Sequence, residues 1–227
     1  MIRLNALDSP WGPEDLAAAV AAGPDAVLLP KITSAADIAA IDQSMTKLGA
    51  ESGPQLWVMI EMPLAIMNIA EIAAASQHSR LAALVIGTND LGKEMRVRIG
   101  SDRAAFQTAL QMTVMAARAY GLTAIDGVFN GLGDMAGLES ECIHGRMLGY
   151  DGKTAIHPVQ LAYCNRIFSP EEHEVAQARA IIAAFADPAN ADKAVIKVDG
   201  RMTERLHWEQ AIRTASIADS IAQIESR

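Results

Sequence analysis

Two carboxylates frame the chemistry this sequence offers. Glu61 closes the apolar run Trp57-Val58-Met59-Ile60, and Asp90 follows Leu84-Val85-Ile86-Gly87 after Thr88-Asn89. If both runs are consecutive strands of a parallel sheet, both acids stand at the carboxyl-end face, where such folds gather their chemistry. A hard divalent ion held by only two carboxylates keeps positions open for water and substrate. Such an ion polarises a carbonyl and stabilises the negative charge that grows on oxygen as a carbon–carbon bond breaks to an enolate. Taken singly, each acid has the plainer role of capping the helix that follows it. Their pairing is what points to a cation.

Other polar residues at the ends of apolar runs extend the list. Arg3, on the first such run, offers a bidentate fork to a carboxylate or phosphate, and Lys31, after Leu28-Leu29-Pro30, offers a point charge in a similar place. Both also read as solvated surface cations. Asp126 lies inside Ala124-Ile125-Asp126-Gly127-Val128 and needs a partner there, which a buried arginine or backbone amides would supply. The five histidines, His78, His144, His157, His173 and His207, have no zinc-site spacing. Only His157 ends an apolar run; with Pro158 opening a helix, it reads as a hydrogen-bonded rim residue. Asn130-Gly131-Leu132-Gly133 lacks the third glycine of a dinucleotide loop, because Ala136 stands there. No Gly-rich loop ends in Lys-Ser or Lys-Thr, so nucleoside triphosphate hydrolysis has no support.

The elements that must position these residues alternate along the chain. Ile2–Asn5, Ala26–Pro30, Trp57–Glu61, Ala83–Gly87, Ala124–Val128 and Lys153–His157 read as strands, nearly all apolar as expected when both faces are buried. Helical patterns with start and stop signals separate them. Gly12-Pro13-Glu14-Asp15 opens a helix that ends at Gly23, and Ser34 with Asp37 forms a capping box. Ser101-Asp102 opens a helix that stops at Gly121, and Ser169-Pro170-Glu171-Glu172 opens another. From position 187 the pattern changes. Asp187-Pro188-Ala189-Asn190 breaks a helix, 194–198 forms a short strand, Asp199-Gly200 turns, and a last helix runs from about Glu204 to Ile224. The expected division is therefore 1–186, a (β/α) domain, and 187–227, a C-terminal arm or lid. Six βα repeats fall short of an eight-stranded barrel of about 250 residues. The expectation is an α/β fold of (β/α)8 TIM-barrel type, truncated to about six units with the deficit before Met1. A complete, open, doubly wound sheet is the alternative.

Composition narrows the function classes. At 227 residues, with 51% hydrophobic but only 4% aromatic residues, the chain suits one Ala-rich helical and parallel-sheet body plus a tail. A net charge of −8 and the absence of basic runs interleaved with aromatics disfavour nucleic acid. No apolar stretch reaches the roughly 18 to 20 residues of a membrane span, and Met1-Ile2-Arg3-Leu4-Asn5 lacks a signal-peptide layout, so a cytoplasmic protein is expected. Cys142 and Cys164 lie far apart in sequence on helical segments and read as packing residues.

Seven motifs, in order, resemble one family. They are Arg3-Leu4-Asn5-Ala6, Leu29-Pro30-Lys31, Ile60-Glu61-Met62-Pro63, Gly87-Thr88-Asn89-Asp90-Leu91, Ala124-Ile125-Asp126-Gly127-Val128, Gly152-Lys153-Thr154-Ala155-Ile156-His157-Pro158 and Val198-Asp199-Gly200-Arg201-Met202. Spanning nearly the whole chain, they resemble the citrate lyase β-subunit-like proteins of the wider HpcH/HpaI aldolase and citrate lyase group. The resemblance implies a TIM barrel, a homotrimer or hexamer, and action on CoA or carrier-protein thioesters of hydroxy acids. It implies Mg2+ held by Glu61 and Asp90, substrate bound by Arg3 and bordered by Glu61, and a lid acid, Glu204, acting on a neighbouring subunit's site. The chain departs from the family pattern in lacking its opening Pro-Gly/Ala-x-x-Arg and Asp-Leu-Glu-Asp strands. Met62 replaces a common Thr, Glu204 the usual Asp, and Leu206 a common Pro. The implied activity is magnesium-dependent cleavage of a malyl-, citramalyl- or citryl-type thioester into an acyl thioester and a 2-oxo acid. A CoA-independent 2-oxo-acid aldolase and a non-catalytic truncated homologue are the alternatives.

Overall fold

Six short apolar runs become six strands that pair side by side in chain order. In the computed structural model, which describes residues 1–100, 102–190 and 192–226, these are β1 (Ile2–Arg3), β2 (Ala26–Leu29), β3 (Gln55–Ile60), β4 (Leu81–Ile86), β5 (Thr123–Asp126) and β6 (Gly152–Lys153). Every neighbouring pair is parallel and the spatial order is β1-β2-β3-β4-β5-β6. A doubly wound sheet reverses its strand order at a switch point. The uninterrupted order removes that alternative and leaves a singly wound α/β sheet, a half-barrel of six strands.

Helices fill each crossover and follow the last strand of the sheet: α1 (Gly12–Ala22), α2 (Ala35–Lys47), α3 (Pro63–Met67), α4 (Ile69–Ala74), α5 (Thr88–Met95), α6 (Gln107–Ala119) and α7 (Met135–Leu148) between strands, and α8 (Leu161–Phe168) after β6. Their boundaries follow local chemistry. Pro13 occupies the first turn of α1, and Gly23 closes it in the left-handed region at φ 60°. At α2 the Ser34 hydroxyl accepts from the Asp37 amide while the Asp37 carboxylate accepts from the Ser34 amide, completing the capping box. The helix expected from Ser101-Asp102 begins later. Ser101 lies outside the described residues, a 3-10 turn spans Ala104–Phe106, and α6 follows.

The core lies between sheet and helices. Val27, Leu56, Val58, Ile60 and Leu84 from the strands, with Ile38, Met45, Ile72, Leu110 and Leu138 from the helices, are all fully buried. Each such side chain contributes about 1.5 to 3 kcal/mol relative to exposure. β3 departs from the expectation of two buried faces. Its burial alternates, with Leu56, Val58 and Ile60 covered but Gln55 exposed and Trp57 and Met59 only partly covered. The last strand is also shorter than expected: β6 stops at Lys153, and His157 instead accepts from the Val159 amide to open a 3-10 turn at Pro158–Gln160. Cys142 and Cys164 are buried free thiols as expected, but the fold brings their sulfurs to 3.9 Å. Distance along the chain concealed that neighbourhood.

The chain divides into two compact units, Met1–Cys164 and Asn165–Arg227. This division by contacts falls before the boundary expected at 187. Helix α9 (Glu172–Ala186) belongs with the hairpin β7 (Val195–Val198) and β8 (Arg201–Glu204) and the final helix α10 (Arg205–Glu225). The reason is packing: Ala178, Ile181 and Phe185 of α9 share one core with Ile196 and Ala211, and Trp208 packs against it. Arg205 lies over the Phe185 and Trp208 rings at 5.4 and 5.7 Å. Asp199-Gly200 makes the two-residue hairpin turn, with φ of 48° and 82°, the left-handed pair such a turn requires.

Candidate metal and substrate site

Glu61 follows the last residue of β3, and Asp90 sits in the first turn of α5, three residues beyond the Gly87 that follows β4. Neighbouring parallel strands thus deliver both acids to one face. Glu61 is only 2% exposed, whereas Asp90 is half-buried. Burial pushes the Glu61 carboxyl above the ordinary carboxylate value, and the charge and hydrogen bonding of Asp90 push it further, against the opposing Lys31 amide. The fold has therefore brought two like charges together in a poorly solvated place, an arrangement that a cation relieves.

The backbone around Glu61 is shaped to hold its carboxylate. The Lys31 amide donates to Glu61 Oε1 at 2.8 Å. It reaches that oxygen because Lys31 adopts a left-handed conformation at φ 57°, a backbone state costing an L-residue about 1 to 2 kcal/mol. Gly87 contributes by what it lacks: a Cβ there would sit 2.6 Å from Glu61 Cβ and 2.8 Å from Oε2. Oε1 is thus occupied by an amide, and Oε2 lies against the Gly87 backbone.

Glu61 and Asp90 suit a small, hard divalent ion, since both offer only carboxylate oxygen. Among the described residues no group of three or more His, Cys, Asp or Glu gathers to hold a metal. An ion on this pair would take its remaining positions from water and substrate. The other expected site residues are less concentrated. The Arg3 side chain is exposed on β1, and among the described residues it makes no hydrogen bond or ion pair. Glu204 caps α10 within the second unit, its amide donating to His207 Nδ1 at 2.9 Å. Beside the face, a cleft of about 500 Å³ is lined by Leu7, Pro30, Lys31, Ile32, Ile41 and Met62.

Asp126 has both kinds of partner that its place in an apolar strand demanded. Its Oδ1 accepts from Arg103 Nη1 at 2.8 Å and from the Gly127 amide at 2.7 Å. The cluster continues with Lys153 Nζ, 3.3 Å from Asp126 and 2.6 Å from Glu141, and with Arg103 Nη2, 2.9 Å from His144 Nδ1. Burial, and then the Arg103 charge, push the His144 imidazole below its ordinary value. The neutral ring accepts from Arg103, which has no acceptor of its own. Sequence reasoning singled out Asp126 alone. The available signal for the rest was Glu141 and His144 spaced three apart on one helical face.

The chain is similar to known proteins in sequence and in fold. Residues 1–158 match the family model for HpcH/HpaI aldolase/citrate lyase. A (3S)-malyl-CoA thioesterase of Cereibacter sphaeroides is 43% identical over 222 residues, covering 98% of this chain and 75% of that protein. The citrate lyase subunit beta of Escherichia coli is 34% identical over 209 residues, covering 90% and 68%. Among solved structures, protein CitE from Mycobacterium tuberculosis in complex with magnesium, acetoacetate and coenzyme A has a TM-score of 0.70 at 25% identity, covering 94% of this chain and 77% of that one. A citrate lyase from Burkholderia xenovorans has a TM-score of 0.80 at 20% identity, covering 97% and 72%, a likeness of fold.

Proposed function

The chain belongs to the HpcH/HpaI aldolase/citrate lyase family, and from that premise we propose that it is a magnesium-dependent carbon–carbon lyase of malyl-, citramalyl- or citryl-type thioesters. The observation that carries the reading is the convergence of Glu61 and Asp90 on one sheet face, where burial first and the Asp90 charge after it raise the Glu61 carboxyl's affinity for a proton. Magnesium, when bound, supplies a Lewis acid for the hydroxyl and carboxylate oxygens of a hydroxy acid. Glu61 and Asp90 hold it. The Lys31 amide fixes one Glu61 oxygen, and Gly87 leaves the other its space. Arg3 supplies the fork that orients the substrate carboxylate. In the cleavage direction the hydroxyl proton passes to solvent water, its oxygen becomes the carbonyl of the 2-oxo acid, and the bond to the neighbouring carbon breaks. The electron pair passes into the thioester enolate, which takes up a proton. Glu204 from a neighbouring subunit of a trimer or hexamer is the residue we assign to that proton exchange. In this reading the six strands are an arc of a TIM-type barrel, and the C-terminal hairpin and helix are its arm.

A second reading, hydrolysis of the thioester to malate and free CoA, is favoured by the 43% identity to the malyl-CoA thioesterase. Both readings share the ion and the substrate, so one experiment separates them. Malyl-CoA incubated with the protein and Mg2+ should give acetyl-CoA and glyoxylate for the lyase, malate and CoA for the hydrolase. Glu61→Ala should lower the rate by about a hundredfold or more, the equivalent of several kcal/mol of lost charge stabilisation, and should weaken magnesium binding in calorimetry. Unchanged magnesium binding and an unchanged rate in that variant would refute the assignment. Condensation of a 2-oxo acid with an aldehyde, without any thioester, would replace it with a CoA-independent aldolase.

A further inference from the structure

We propose that Arg103, through Asp126, is a positioning residue for the Glu61–Asp90 site, setting the loop after β5 and the start of α5 against each other. The inference rests on the metal reading above for its consequence, though not for its geometry.

The side chains of Arg103, Asp126 and Lys153 are 5%, 0% and 0% exposed, and Glu141 is 13% exposed. Two cations and two carboxylates balance, so the cluster carries no net charge. Fully paired buried charges rarely add stability over an apolar replacement of similar volume. This cluster is also imperfect as a stability device. Arg103 Nε is buried with no hydrogen-bond partner, and Arg103 holds a left-handed backbone at φ 54°. Both features cost free energy. What the arrangement secures is the path of the chain at the carboxyl ends of three consecutive strands.

That path can be followed atom by atom. Arg103 Nη1 bridges both Asp126 oxygens, at 2.8 and 3.0 Å. Asp126 Oδ1 in turn holds the Gly127 amide at 2.7 Å, while its carbonyl accepts from the Thr154 amide and hydroxyl at 2.9 and 3.0 Å. Gly127 is thereby pressed against the end of β4 and the first residue of α5. A Cβ at Gly127 would lie 3.1 Å from the Ile86 carbonyl and 3.1 Å from Thr88 Oγ1. Thr88 is two residues from Asp90. The segment bearing Arg103 closes the circuit on the same helix, since a Cβ at Gly92 of α5 would meet Phe106 at 2.9 Å and Ile99 at 3.2 Å. Helix α5 is therefore gripped at its first turn through Gly127 and at its middle through Ile99 and Phe106, and Arg103 lies between these holds.

The test removes the charges without leaving one unpaired. In the double variant Arg103→Met/Asp126→Leu, Lys153 and Glu141 retain each other, and the apolar pair fills the volume of the two charged side chains. Two measurements follow in the folded variant. In metal-free protein, hydrogen exchange at the Gly87 and Leu91 amides, which donate to the Ile60 and Gly87 carbonyls, should be faster than in wild type. Magnesium binding should weaken by roughly tenfold or more, the usual effect of losing an outer-shell support. A folded double variant with wild-type exchange at both amides and magnesium affinity within about twofold of wild type would overturn the proposal. Faster exchange in the variant, with a wild-type protein that binds no magnesium, would uphold the coupling and sink the metal reading instead. If the double variant does not fold, Arg103→Lys keeps a cation but loses the fork. It should shift exchange at Gly87 and Leu91 in the same direction, and unchanged exchange there overturns the proposal equally.

Discussion

Glycine at position 87 shows how much of the site depends on space that no side chain fills. Its φ of −110° is open to any residue, so its value lies in the 2.6 Å separation that a Cβ would impose on Glu61. Gly87→Ala should displace the Glu61 carboxylate and weaken magnesium binding at least tenfold, with an overpacking cost of about 1 to 3 kcal/mol. Calorimetric titration alongside a denaturant melt separates the two effects, and tight binding in this variant would mean that Oε2 is not a ligand. Glu61, Asp90 and Asp126 were legible in the sequence because a carboxylate in or just after an apolar run is conspicuous. Arg103 was not, because it stands between Asp102 and Ala104 in a polar stretch where nothing marks the one cation that turns inward. Lys31 was marked for the charge of its side chain, and the left-handed backbone that turns its amide to Glu61 was equally hidden. Its role comes from a backbone amide, and amides look alike in every sequence.

Elements were legible where local chemistry fixes them. The Ser34–Asp37 box follows from side chains bonding to nearby backbone, and the Gly23 stop and the Asp199-Gly200 turn from residues that tolerate a left-handed backbone, all with no help from the fold. Burial alone would raise the Asp37 carboxyl, but the hydrogen bonds it accepts from Thr33 and Ser34 outweigh this and hold it below its ordinary value. A depressed carboxyl contributes stability that is present above its unfolded value of about 3.9 and lost as pH falls through the folded one. Asp37→Asn should therefore cost about 0.5 to 2 kcal/mol near neutrality, and the difference from wild type should shrink below pH of about 4. A gap between the two unfolding curves that stays constant into acid would show that the charge on Asp37 is irrelevant to α2. Strand ends were less legible. β6 was expected to reach His157, but it ends at Lys153; Thr154 bonds back to Asp126, and the chain bends at Ile156 and His157. That contact spans 28 residues and leaves no local trace.

At the scale of the molecule, sequence order and spatial order coincide along the sheet, which is why the succession of βα repeats sufficed to predict a parallel α/β architecture. The division of the chain was harder, because α9 looks like one more helix of the series. Only its partners, Ile196, Trp208 and Ala211, assign it to the second unit. That assignment carries a functional consequence. Phe185 is 7% exposed and stacks obliquely on Trp208, with ring centres 6.3 Å apart. Truncating it should remove about 3 to 5 kcal/mol from that small core. Units with separate cores open separately. In Phe185→Ala, amide exchange should accelerate across 172–225 and leave β2 to β4 unchanged, and Glu61 and Asp90, on the first unit, should bind magnesium as before. If the hairpin and α10 bring Glu204 to a neighbouring subunit's substrate, turnover should fall by far more than magnesium affinity. Equal losses in both would show that the second unit supports the metal site itself, and full turnover with a loosened second unit would remove Glu204 from the chemistry.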